Sequence, residues 1–289
     1  STEAEGKGGS IKAETETLNL DNNSQLTVET NSSGAAGDIE IQTGSLTVDN
    51  NAQISAQTEG TGKGGDINIS TKETTLNITA DGQISASTSG AGQGGNINLK
   101  ATETIDITGD GEISVKTTGA GNAGNISIET QNLTTDQIKI TASTEAEGKG
   151  GSIKAETETL SLDNNSQLTV ETNSSGDAGD INIETGSLTV DNGAQISAQT
   201  EGTGKGGNVN ITTRSVTAQN EAQISSSTYS KGDAGNIDIR ATELEVKDNA
   251  KISAQTIRSG EGGNIIINTP DTLNIKGNGE ITVESRGPG

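Results

Sequence analysis

Short runs of alternating apolar and polar residues succeed one another along the chain, and helical spacing of apolar positions is absent. Residues 39–58 hold three such runs: Ile39-Glu40-Ile41-Gln42-Thr43, Leu46-Thr47-Val48 and Ile54-Ser55-Ala56-Gln57-Thr58. Period-two alternation marks a strand with one buried face. Turn residues separate the runs. Thr43-Gly44-Ser45 predicts a first corner. Asp49-Asn50-Asn51-Ala52 predicts a second, because Asn and Asp tolerate the left-handed conformation. The glycine-rich stretches Asn31 to Gly37 and Glu59 to Gly65 predict a third, with glycine expected to supply positive φ.

The three-run pattern repeats. A Gly, then a small polar residue, then Ile or Val recurs at Gly9, Gly37, Gly65, Gly95, Gly124, Gly151, Gly179, Gly207, Gly235 and Gly263, spaced by 27 to 30 residues. These anchors define coils 1 to 10. A longer period lies on top: residues 1–71 match residues 143–213 at 63 of 71 positions. Residues 1–142 and 143–284 therefore read as tandem five-coil super-repeats within one continuous unit, 1–289.

Three strand runs per unit of about 28 residues suit one turn of a three-faced parallel β-solenoid. The expected fold is all-β, a right-handed parallel β-helix, right-handed winding being the rule for parallel crossovers. Ten coils at strand spacing make a rod of roughly 50 Å. Stacking in register requires equivalent positions to hold similar side chains, and they do. The first run places Ile or Val at Ile11, Ile39, Ile67 and onward to Ile265; the second places aliphatics from Leu18 to Leu273; the third from Leu26 to Ile281. Polar columns accompany them. Ser, Asp or Asn follows each anchor glycine, from Ser10 to Asn264, and Thr ends the third run from Thr30 to Thr256. Both polar columns are expected to hydrogen-bond from coil to coil. Asp38 and Asp66 are neighbours in the first of them, so that corner is expected to be solvated or to hold a cation.

Composition fits a narrow interior filled by small aliphatic side chains. The chain has 40 Gly, no Cys, Met, Trp, Phe or His, and one aromatic residue, Tyr229. The formal charge of −22 excludes the basic surface that nucleic acid or an anionic membrane would need. No stretch approaches the ~20 apolar residues of a membrane span. The absence of Cys fits an exported protein, and the start at Ser1 suggests an internal piece of a longer chain.

The running motif is a Gly-rich loop, G-[ND]-I-x-I, L-x-[VI], then [DN]-[NG]-[AG]-x-I-[ST]-[AV]-x-T. Gly124-Asn125-Ile126-Ser127-Ile128 and Asp191-Asn192-Gly193-Ala194-Gln195-Ile196-Ser197-Ala198-Gln199-Thr200 carry it. This resembles, over the whole chain, the repeat region of filamentous-haemagglutinin-like exoproteins, in particular those of filamentous cyanobacteria. The resemblance implies a secreted, cell-surface protein exported by an outer-membrane partner in two-partner secretion. The family's secretion domain is not in this chain.

The expected function is structural: a segment of an extracellular fibre or adhesin stalk, self-associating end to end or side by side. A cell surface or extracellular polysaccharide is a further expected partner. No enzyme is expected. Coil length varies too little to build a cleft, and no His or Cys is present as base or nucleophile. The alternative is a calcium- or surface-binding module. Calcium needs six to eight converging oxygens, for which Asp38, Asp66, Asp177, Asp180 and Asp233 are the candidates. Tyr229, Lys231, Ile257 and Arg258, in variable positions of the glycine-rich loops, are the candidate contact residues. A third reading is ice binding, from an outward hydroxyl column running from Thr27 and Ser55 to Thr282, although charges in the neighbouring column work against a flat face.

Overall fold

Every coil of the computed structural model, which describes residues 6–31, 33–72 and 75–287, pairs in parallel with the coils before and after it. The register is the one the repeat demands. Ile11 pairs with Ile39, Ile39 with Ile67, and so on without slip to Ile237 with Ile265. The third-run column is equally unbroken from Leu26 to Ile281. Pairing also crosses the boundary of the super-repeats, where Ile126 meets Ile153 and Ile140 meets Leu168. The result is a parallel β-solenoid of ten coils, with three strand runs in each.

The first two runs do not separate as the sequence suggests. In six coils they form one strand through the first corner, as in Ile11–Leu20, Ile39–Val48 and Ile181–Val190. Runs one and two therefore share a 14-stranded sheet, and run three forms a 10-stranded sheet of its own. No described residue of this corner has left-handed backbone, so in those six coils pairing continues around it. A threonine holds the bend: Thr43 Oγ1 donates to Ser45 O at 2.8 Å, and Thr185 Oγ1 to Ser187 O at 3.0 Å. The same corner absorbs length. Ile67 and Leu76 lie nine positions apart, against seven for Ile39 and Leu46, yet both columns stay in register.

The second corner behaves as the Asn and Asp residues predict. Asn50 and Asn51 have φ of 51° and 61°, and nine of the ten coils place two successive residues in this region. The shortest coil has only Gln137 there, φ 61°. The asparagine also ties coils together, since Asn50, Asn192 and Asn220 each donate Nδ2 to the Asp of the preceding coil at 2.7–2.8 Å. Ala80 breaks the pattern with φ 43° and no amide. An L-residue other than Asn, Asp or Gly pays roughly 1 kcal/mol in this region. Ala80→Asn is therefore expected to raise stability by about 1 kcal/mol, read from chemical denaturation, by relieving that strain and offering Asp49 a donor.

The interior is one side chain thick. Ile39, Ile41, Leu46, Ile54, Ile67 and Ile84 are wholly buried, and the same columns stay buried through coil 9. The threonines that end the third run also point inward, at 0–1 % exposure from Thr30 to Thr256. They do not bond their column neighbours as expected. Thr200 Oγ1 donates instead to Lys205 O in its own coil at 2.8 Å, and Thr228 Oγ1 to Asp233 O at 2.9 Å. Five members of the inward column, Thr117, Thr172, Thr200, Thr228 and Thr256, thus pin the glycine-rich loop that follows them.

Candidate functional site

The third corner carries the most specific chemistry on the rod, and it begins with the column after the anchor glycines. Each side-chain oxygen accepts the backbone N–H of its counterpart one coil on. Ser10 Oγ accepts from Asp38 N at 3.0 Å, Asp38 Oδ1 from Asp66 N at 2.9 Å, and Asp66 Oδ1 from Asn96 N at 2.8 Å. The chain of bonds continues through every step to Asn236 Oδ1 and Asn264 N, 2.9 Å. Ser, Asn and Asp each carry a side-chain oxygen at the right reach, which fits the column's composition.

This ladder resolves the apposition of Asp38 and Asp66. The Asp38 carboxylate is bonded to backbone, and Asp66 Oδ2 lies 3.0 Å from Lys63 Nζ. Asp180 accepts both Asn208 N, at 2.8 Å, and Asn208 Nδ2, at 3.0 Å. Asp177 and Asp233 belong to a second column, two residues before the anchors, and accept Lys205 N and Glu261 N at 2.9 and 3.0 Å. Lys205 stands between these two aspartates in that column and places Nζ 3.7 Å from Asp233. Asp177 and Asp180 share a concavity of about 350 Å³ with Lys149 and Lys205. The five candidate carboxylates thus divide between two columns, with lysines interspersed. Among the described residues no three acidic, His or Cys side chains converge as metal ligands.

The glycines of this corner serve a purpose different from the one expected. Of the described loop glycines only Gly260 has φ in the left-handed half of the map, at 156°. Close approach accounts for most of the others, although at Gly6 and Gly9 an added Cβ would meet nothing within 4 Å among the described residues. A Cβ on Gly151 would overlap the Gly124 carbonyl oxygen, and one on Gly95 the Gly65 oxygen. A second unbroken glycine column, three residues before the anchors, runs Gly6, Gly34, Gly62, Gly92 and onward to Gly260, and from Gly34 on it is packed the same way. Its spacing was visible in the sequence but was not read as a column.

The contact-loop candidates come together in part. Tyr229, 43 % exposed, and Ile257 occupy one column, each donating its N–H to the threonine carbonyl of the previous coil at 2.9 Å. Arg286 is the next member of that column, with the same bond to Thr256 O. Lys231 and Arg258 are exposed on the same loops. Sequence reading missed Arg286, which only the register places beside Ile257.

The hydroxyl column of the third face is only partly open, with Thr27 exposed and Ser85, Ser114, Thr141 and Ser225 half-buried. Ser55, Ser197 and Ser253 are 2 %, 6 % and 8 % exposed. Longer side chains flank them, such as Gln53 and Gln57, and the hydroxyls bond one another, Ser55 to Thr27 at 3.2 Å and Ser225 to Ser197 at 3.1 Å.

No protein-family model, curated protein or solved structure matches this chain. What the rod can do is therefore read from its own chemistry. Among the described residues, two acids are raised above the ordinary range. Burial, then the nearby Asp136 charge, raises Asp106. Burial, then Glu201, raises Glu171. An acid whose pKa is raised on folding favours the folded state when protonated. Its destabilising effect is absent below the unfolded pKa and grows as pH rises through the folded one. Glu171→Gln is expected to raise Tm at pH 7. That advantage should shrink to nothing as pH falls below the carboxylate range, measured as paired melts across the series.

Proposed function

We propose that this chain is a structural segment of an extracellular fibre or adhesin stalk. The observation that carries the reading is the unbroken register of ten coils, locked by a side-chain ladder at every step along one corner. A rod built this way transmits position over its length and has a nearly constant cross-section. Its concavities are shallow troughs between side chains, such as one of about 430 Å³ between Lys100 and Glu158. The net charge of −22 keeps such rods soluble. Export by an outer-membrane partner and a place on the cell surface follow from the resemblance in the repeat.

A surface-binding module is the second reading, favoured by the shared edge of Tyr229, Ile257 and Arg286. Extracellular polysaccharide would be its partner, with calcium as an auxiliary ligand. Electron microscopy and small-angle scattering test the first reading. Stiff rods of roughly 50 Å per chain are expected, and scattering of a flexible coil would remove it. A Tm raised by micromolar calcium, and not by equal ionic strength of sodium, would favour the second.

A further inference from the structure

The third corner changes character in coils 8 and 9. Its first column, in which each N–H bonds the threonine carbonyl one coil back, reads Glu59, Ser89, Thr118, Glu145, Asn173 and Glu201 in coils 2 to 7. The next two members are Tyr229 and Ile257. The super-repeat supplies an internal control. Coils 3 and 4 hold Ser89-Gly90-Ala91 and Thr118-Gly119-Ala120 where coils 8 and 9 hold Tyr229-Ser230-Lys231 and Ile257-Arg258-Ser259. Both pairs of coils stack in the same register, so the larger side chains are not needed for stacking. Lys231 and Arg258 are exposed and make no ion pair among the described residues. By contrast Lys63 and Lys205, on the same corner of earlier coils, are held by Asp66 and Asp233. The chain's one aromatic ring, 43 % exposed, shares its loop with Lys231.

From this we infer that the corner of coils 8 and 9 binds an acidic polysaccharide whose charges are uronate carboxylates. The inference rests on the surface-binding reading above and names the chemistry of its partner. The Arg258 guanidinium matches a carboxylate with two parallel N–H···O bonds, and Lys231 adds a point charge. Tyr229 offers an apolar ring to cover a sugar face and a hydroxyl that stays in water. Successive coils repeat at ~4.8 Å, so these contacts follow the rod and suit an extended chain. A polyuronate has one carboxylate per sugar, which keeps its repulsion by the rod's net charge of −22 below that of a densely sulfated chain. Glu201 precedes Tyr229 in its column, and Glu261 is exposed after Arg258, so the contact is short.

Binding of the full chain to immobilised polygalacturonate, dextran sulfate and neutral dextran tests this. Polygalacturonate should be held most tightly, and less so as sodium chloride is raised. Residues that the same columns hold elsewhere supply the variant: Tyr229→Ser, Lys231→Ala, Ile257→Thr and Arg258→Ser combined. It should keep the wild-type Tm and bind polygalacturonate about tenfold more weakly or worse. Arg258→Lys, which keeps the charge and loses the fork, should weaken polygalacturonate alone, and it decides the matter if the combined variant melts early. Undiminished binding by these variants, or a preference for dextran sulfate, would overturn the inference. So would equal binding of dextran, which leaves the surface-binding reading standing. Rods that associate with one another without polymer, and cease to in the combined variant, would assign the corner to a second copy instead. A chain that holds none of the three polymers removes the inference and the polysaccharide reading together.

Discussion

Gly151→Ala is expected to destabilise the rod by about 3 kcal/mol or more, while Gly9→Ala leaves it unchanged. The two residues are equivalent in the repeat, so helix or strand propensity and unfolded-chain entropy cancel in the comparison. They differ in what lies beneath. The new methyl at residue 151 would overlap the Gly124 carbonyl oxygen, two residues before the Ile126–Ile153 pairing, and press on Ala142, which is paired with a neighbouring coil on each side. At residue 9 no described atom lies within 4 Å. The damaged step lies between coils 5 and 6. In a quasi-one-dimensional array each coil leans mainly on its neighbours, so a weakened step divides cooperative unfolding. Urea denaturation followed by circular dichroism should show a lower midpoint for Gly151→Ala and a broadened or two-stage transition. Equal midpoints for the two variants would remove close approach as the reason for the glycine column.

Ile140→Ala is expected to cost about 3 kcal/mol, and the same change at Ile281 under about 1 kcal/mol. Ile140 is wholly buried between Ile113 and Leu168 of the adjoining coils. Strand pairing holds those neighbours at fixed spacing, so the cavity cannot close by collapse. The cost should then fall in the middle of the range for such truncations. Ile281 is only partly buried, because no described coil covers it. Denaturation midpoints of the two variants measure the difference directly, and equal losses would mean that the interior is not the continuous column described.

Much of this architecture was legible beforehand, for reasons that differ by position. The Ile, Leu and Val columns could be read because period-two alternation and a near-constant unit length leave one register that buries every apolar run. The Asn50-Asn51 corner could be read because those side chains favour left-handed backbone. The loop glycines were identified correctly but explained wrongly. Glycine serves either positive φ or close approach, and its letter in the sequence does not distinguish them. Five of the inward threonines donate to the carbonyl five residues on in their own loop rather than to a stacked hydroxyl, a choice that a column of identical letters does not reveal. The third-face hydroxyls were taken as open to solvent, but alternation reports only which way a side chain points. It does not reveal that longer neighbours close over a short one.

Taken alone, the sequence determined the repeat, the strand runs, the register and the composition of the core, since each depends on spacing along the chain. The tertiary structure decided which groups satisfy one another between coils. It bonded Asp38 to the next backbone, packed glycine against carbonyl, and set Arg286 beside Ile257. These outcomes depend on distances of a few ångströms across residues some 28 positions apart, and short-range packing and hydrogen bonding are sensitive to such distances where residue identity is not.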